Sequence, residues 1–262
     1  MIPISDINHA KRVPFITMAL IAACIAIYLF VQPTVPEPGT SSAERQLEDI
    51  EYTLGHAAIP CEITKGRHLT TDEVVRTYTS DEPDATESCL TAPSGDDVAP
   101  EKNIYLAVLY SVFMHGGLFH LGFNMLFLWV FGNNIEDRFG VVRFTIFYLL
   151  AGIFSTAAHI VAQPTSTLPV VGASGAIAGV MGAYLVLFPT ARIRALFFVI
   201  LIPLPAWLFL GYWFISQFYV NPNSGIAWVA HVSGFVFGVA VAAFYRVTSS
   251  KRTAPETNAA YY

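Results

Sequence analysis

Residues 172–189 read Gly172-Ala-Ser174-Gly175-Ala-Ile-Ala-Gly179-Val-Met-Gly182-Ala-Tyr-Leu-Val-Leu-Phe-Pro189. No charge interrupts this stretch, small residues recur along it, and a serine stands near its head. An uncharged apolar run of this length is a candidate membrane span, and a hydroxyl inside hydrocarbon costs on the order of a few kcal/mol if left unpaired. Two further segments share the pattern. His115-Gly-Gly-Leu-Phe-His120-Leu-Gly-Phe-Asn124 and Ala230-His231-Val-Ser-Gly234 also set imidazoles and an amide in apolar surroundings. Ionisable and polar groups placed this way point to a functional site inside the membrane.

The rest of the chain supports a membrane setting. Hydrophobic residues make up 54% and charged residues 13%, whereas a soluble domain carries about 25% charged residues. Six runs are predicted to cross, at 13–31, 104–132, 141–162, 174–190, 195–217 and 226–246, each near the ~20 residues a bilayer core requires. The expected fold is therefore an all-α polytopic membrane protein with six transmembrane helices. The second run is longer than one crossing needs, so 104–112 is read as a re-entrant or interfacial piece. The first follows Lys11 and Arg12 and leads to Gln32-Pro33-Thr34 instead of a small-residue cleavage site. It is read as a retained span.

Charge sets the orientation. Residues 32–103 hold fifteen Asp/Glu and five Lys/Arg, and the other nine Lys/Arg cluster at Lys11/Arg12, Arg138/Arg143, Arg192/Arg194 and Arg246/Lys251/Arg252. Six alternating spans put all nine on one side, and the opposite loops 163–173 and 218–225 carry no charge. By the positive-inside rule the basic side is cytoplasmic. The organisation is then 1–31, cytoplasmic N-terminus and first helix; 32–103, acidic extracytoplasmic loop; 104–246, the five-helix remainder; 247–262, cytoplasmic tail. A bacterial inner membrane suits this arrangement. The acidity of the loop would repel nucleic acid, which is excluded as a partner.

Within the loop, Ser41-Ser-Ala-Glu44 reads as a capping box opening a helix with Leu47, Ile50 and Leu54, ended by Gly55. Thr70-Thr-Asp-Glu73 opens a shorter one. The ends, 32–42 and 80–100, have linker composition. Cys61 and Cys89 both lie in this loop, on the oxidising side. They could be bridged or remain two free thiols, and spacing alone does not choose. No Cys-x-x-Cys pair suggests zinc, and neither metal nor other cofactor is expected.

The polar residues coincide in depth. Spans 2, 4 and 6 all run inward, placing His115, His120, Asn124, Ser174 and His231 in the outer half of the membrane. A four-residue step puts His120 and Asn124 on one helical face, able to donate to a developing oxyanion. His115 points elsewhere and is assigned to holding the loop through backbone carbonyls. Gly172 and Gly175 flank Ser174 and allow a tight turn and close approach, and a helix N-terminus there supplies amides toward an anion. His231 is the base candidate for the serine. Gly175, Gly179 and Gly182 on span 4, with Gly234 and Gly238 on span 6, would let those helices meet and bring Ser174 to His231.

In combination the Gly-x-Ser-Gly, Ala-His-x-x-Gly-x-x-x-Gly and His-x4-His-x3-Asn segments resemble the rhomboid family of intramembrane serine proteases, over 13–31 and 104–246. The resemblance implies a rhomboid-like bundle, Ser174 as nucleophile, His231 as general base and acid, and an oxyanion hole of His120, Asn124 and the Ser174 amide. It implies lipid-embedded, single-span membrane proteins as substrates. Glu136 and Arg138 resemble a structural motif of the family, and Trp213 falls where the family has an aromatic of its lateral substrate gate, with Pro203 and Pro205 placed to bend that helix. Two positions depart from the pattern. Leu106-Ala107 replaces a Trp-Arg pair, and Ala178 replaces a tyrosine that stacks on the histidine, which leaves the orientation of His231 unassigned. Two other readings use the same fold or residues: an inactive rhomboid-like protein that binds membrane clients, and a transporter or metal enzyme built on the histidines. The second lacks a His-Glu-x-x-His pair.

Overall fold

The computed structural model describes residues 1–7, 10–33, 42–79, 89, 91–221 and 225–252, with 42–46 and 250–252 described by backbone alone. The capping box at 41–44, much of the two linkers and the tail beyond 252 lie outside the residues or side chains described. In chain order the elements are β1 (Ile2–Asp6), α1 (Phe15–Phe30), α2 (Ser42–His56), α3 (Pro60–Lys65), α4 (Thr71–Thr79), α5 (Ala107–Ser111), α6 (Leu118–Phe127), α7 (Asn133–Phe139), α8 (Val141–Ala162), α9 (Ser174–Leu187), β2 (Arg192–Phe197), β3 (Ile200–Pro205), α10 (Ala206–Ser216) and α11 (Trp228–Arg252). A π-helical turn, Leu128–Gly132, joins α6 to α7, so Leu118–Phe139 runs as one helix.

Among the described residues three helices are long and apolar enough to cross a membrane: Leu118–Phe139, Val141–Ala162 and Trp228–Ser249. Two of the other expected spans are shorter apolar helices, Phe15–Phe30 and Ser174–Leu187. At 1.5 Å per residue the latter is about 21 Å long, less than the ~30 Å hydrocarbon core. The piece expected ahead of span 2 is the short helix α5.

Span 5 differs from expectation. Residues 195–217 are not one helix: β2 and β3 form an antiparallel hairpin, Arg192 opposite Pro205 and Phe197 opposite Ile200, and only Ala206–Ser216 is α-helical. Pro203 and Pro205 do not bend a helix, they precede one. Proline has no N–H for a helix interior, but an edge strand tolerates it, and Pro205 stands at the N-cap of α10 with φ −62°. β2 is the central strand, because β1 pairs with its other edge, Ile2 opposite Leu196.

Helix α9 is the axis of the bundle. Its residues Gly175 to Tyr184 are all buried, and α11 lies directly against it. A Cβ on Gly238 would strike the Gly179 carbonyl, and one on Gly234 would strike the Gly175 carbonyl. Only small residues permit that separation, in keeping with packing where lipid leaves no hydrophobic force between helices. Aromatic side chains fill the opposite end: Phe131, Phe144, Tyr148, Tyr184 and Phe209 are fully buried. Two carboxylates tie the N-terminal segment into this core. Asp6 accepts from Tyr184 Oη and Asn134 Nδ2, both at 2.7 Å. Glu136 accepts from the backbone N–H of Ile16 and Thr17 at 2.9 and 2.8 Å and from the Thr17 hydroxyl, capping the start of α1. Arg138 is exposed, and its carbonyl accepts from Tyr245 Oη at 2.8 Å.

The insertion between α1 and α5 has its own small core of Leu54, Ile59, Cys61 and Leu69. Cys61 and Cys89 are joined by a disulfide, Cα to Cα 5.6 Å. Lys102 and Glu62 form a fully desolvated pair at 2.5 Å, with Lys102 Nζ also donating to the Leu54 carbonyl. Burial lowers the Lys102 ammonium from its ordinary pKa, against the opposing pull of Glu62. Arg67 makes a two-pronged pair with buried Glu73, which raises its own pKa.

Candidate active site

A cavity of about 570 Å³ opens between α6, the end of α8, the 163–173 loop, α9, α10 and the start of α11. His120, Asn124, Ser174, Trp213 and His231 all line it. Five of the residues singled out by sequence therefore come together from four helices.

Ser174 is the first residue of α9, whose N-terminus has no side-chain cap. Its leading amides are free of helical partners by geometry and face a region where negative charge would be stabilised. Gly172 precedes it at φ +117°, and a Cβ there would sit 2.8 Å from the His120 ring, so glycine is required by both backbone and space. The Gly172 N–H donates to the Ser111 carbonyl at 2.8 Å, fixing the turn. At Gly175 a Cβ would collide with Ser155 Oγ.

The imidazole of His231, on α11, places Nε2 2.9 Å from Ser174 Oγ. Its other nitrogen, Nδ1, lies 2.8 Å from Gln217 Oε1. The Trp213 ring is 6.0 Å away and tilted by 39°. A ring nitrogen at this distance from a hydroxyl can accept its proton as the oxygen attacks a carbonyl. Ala178 is buried in α9 with no aromatic to offer; the ring is held instead by Gln217 and bordered by Trp213.

Asn124 Nδ2 donates to the His120 carbonyl at 3.0 Å, one turn earlier on α6, leaving its second N–H for a ligand. His115 does not line the cavity. Its backbone N–H and carbonyl both pair with the Gln32 side chain at 3.0 Å, which ties the end of α1 to the turn before α6. Its ring contacts the Phe113 carbonyl and the His120 ring edge-on.

Sequence reasoning missed Gln217, Gln32, and the far end of the cavity formed by His159, Gln163 and Ser166. Gln217 offered only a partial signal: it is an amide at the end of an apolar run, without the four-residue step to a histidine that selected Asn124. Cys61, Glu73 and Cys89 bring ligand atoms within 4.8 Å of one another, but both sulfurs are spent in the disulfide and Glu73 is engaged by Arg67. This cluster therefore has no thiolate to offer a metal.

The sequence model of the Rhomboid domain matches residues 102–248, more than half of the chain. The chain belongs to the rhomboid family. Similar proteins include the mitochondrial rhomboid protein 1 of Saccharomyces cerevisiae, 35% identical over 144 residues covering 51% of this chain and 40% of that protein. Rhomboid protease GluP of Bacillus subtilis is 44% identical over 78 residues, 30% of this chain and 15% of that protein. The human mitochondrial presenilin-associated rhomboid-like protein is 30% identical over 141 residues, 50% and 36% of the two chains. The matches thus cover 40% or less of the length of these relatives. Rhomboid proteins are integral membrane proteins, and the family includes proteases, as the name of the Bacillus relative states.

Proposed function

We propose that this rhomboid protein is an intramembrane serine endopeptidase that cuts single-span membrane proteins in or near their transmembrane segments. The observation that carries the reading is the Ser174 Oγ to His231 Nε2 separation of 2.9 Å inside a cavity walled by apolar helices. Six chain segments cross the bilayer in this reading, with the basic ends cytoplasmic and the insertion on the opposite side. The substrate helix enters laterally past α10 and Trp213 and unwinds locally, since an intact helical ladder shields its peptide bonds. Ser174 Oγ bonds to the exposed carbonyl carbon while its proton passes to His231 Nε2. The resulting oxyanion is held by donors of His120 and Asn124 and by the Ser174 amide. The C–N bond then breaks as His231 returns the proton to the leaving amine, and water, deprotonated by the same nitrogen, hydrolyses the acyl-enzyme.

Purified protein in liposomes with a single-span substrate, and separately with a fluorophosphonate probe, tests this directly. Ser174→Ala and His231→Ala should each abolish cleavage, a loss of at least about 10⁴-fold, with melting behaviour unchanged. Cleavage retained by a folded Ser174→Ala protein would refute the assignment. A folded wild type that neither labels nor cuts would favour binding of membrane clients without proteolysis.

A further inference from the structure

Gln217 is 7% exposed and follows the last residue of α10 in a short 3-10 turn. Its carboxamide is oriented from outside the site. Nε2 donates to the Trp213 carbonyl at 3.1 Å and lies 3.3 Å from Ser216 Oγ, whose own proton goes to the same carbonyl at 2.6 Å. With the NH2 end committed there, the oxygen is the end that faces His231 Nδ1 at 2.8 Å. An amide oxygen only accepts. Nδ1 therefore carries the ring proton, and Nε2 turns its lone pair to Ser174 Oγ.

We propose that Gln217 is the positioning residue of the Ser174–His231 pair, holding the imidazole in the tautomer and rotation in which Nε2 can take the serine proton. The inference rests on the serine-protease reading above. It answers the question raised by Ala178, where no aromatic is available to stack on the ring. A neutral amide differs from a carboxylate in the same place: it orients the ring but adds no charge to stabilise the imidazolium formed during attack. Position matters as well. Gln217 adjoins α10 and His231 belongs to α11, so an outward shift of α10 withdraws the acceptor from Nδ1 while widening the cavity on that side. Alignment of the base and position of this helix become one variable.

The test compares wild type, Gln217→Met, Gln217→Glu and Ser174→Ala, each purified whole in detergent, by the rate of fluorophosphonate labelling from about pH 5 to about pH 10. Methionine keeps the length of the side chain and removes the acceptor. Gln217→Met should label on the order of 30-fold more slowly and lower kcat for a membrane substrate with KM within about twofold; orienting partners in serine hydrolases are worth up to about 10⁴-fold. Glutamate keeps an acceptor and adds charge, so Gln217→Glu should label faster than Gln217→Met. It should also move the acid-side inflection upward by about one pH unit. Imidazole ¹⁵N NMR of histidine-labelled protein should show a protonated Nδ1 at His231 in wild type and a tautomer mixture in Gln217→Met. Wild-type labelling rates in Gln217→Met, or an unmoved inflection in Gln217→Glu, would overturn the proposal. If Gln217→Met does not fold, the Gln217→Glu inflection decides. Wild-type labelling that persists in Ser174→Ala would instead defeat the protease reading, and the NMR signal would still report whether Gln217 holds the His231 proton.

Discussion

The two walls of the cavity are built in opposite ways. On one side the 163–173 loop is braced from behind by the insertion: the Val170 N–H donates to the Ala58 carbonyl at 2.8 Å, the Cys61 N–H to the Ser166 carbonyl at 2.9 Å, and the Thr64 hydroxyl to the Pro164 carbonyl at 2.7 Å. Thr77 and Thr167 share a further hydrogen bond, and the Ala58 N–H reaches Ser111 Oγ. The brace is itself cross-linked by the disulfide at Cys61. On the other side stands α10, eleven residues long. Its Trp207, Tyr212 and Ile215 are all more than half exposed. Its inner face packs Phe209 on Phe127 and Phe131, and Trp213 on His231 and, with Phe214, on Phe235. Hydrogen bonds hold only its ends: the Ala206 and Trp207 N–H groups donate to the Ala191 and Pro189 carbonyls at 2.8 and 3.0 Å, and Gln217 pairs with His231. Directional bonds and a covalent link hold one wall along its length, and contact packing holds the other between its two ends. In lipid, packing of that kind has no hydrophobic force behind it, so the α10 wall is the one that can yield.

The floor shared by both walls is the α9–α11 contact, and removing it should erase the distinction. Gly238→Val drives a branched side chain into the Gly179 backbone; we expect a loss of at least about 4 kcal/mol and little monodisperse protein on size-exclusion chromatography. The comparison is then sharpened on its stiff side. Cys61→Ser opens a link across a sequence separation of 28, which should lower stability by about 2–4 kcal/mol. Hydrogen exchange should speed up in 58–79 and 163–173 and leave α10 unchanged. Equal acceleration in α10 would show that the two walls are one unit. The smallest effect should come from Trp213→Leu, about 1–2 kcal/mol from lost ring contacts. It should raise exchange in 206–219 alone.

Much of this difference was hidden in the sequence for identifiable reasons. Apolar runs located α6, α8, α9 and α11, and the histidine, serine and asparagine embedded in α6, α9 and α11 marked the site, because burial in lipid makes such residues conspicuous. The run at 195–217 was misread as helix since Phe-Phe-Val-Ile-Leu-Ile suits strand and helix alike. Its state is decided by Pro203 and Pro205 and by a partner strand, β1, about 190 residues away. Gln217 went unassigned because its role depends on a tertiary contact across fourteen positions. The brace was equally illegible: the Ala58–Val170 bridge joins segments whose composition gives no sign of each other.

The sheet and the Glu136 cap also set an order of events during synthesis. β1 pairs with residues 193–196, and the first N–H groups of α1 are satisfied by a carboxylate 119 and 120 positions downstream. At ~5–20 residues per second, about 10–40 s separate the appearance of β1 from that of its partner. For about 6–24 s, until Glu136 appears, the first apolar helix lacks its cap, and the preceding strand stays unpaired for the whole interval. Formation of the first helix and its docking are therefore separate steps, and the edge of β1 stays open on the nascent chain until β2 arrives.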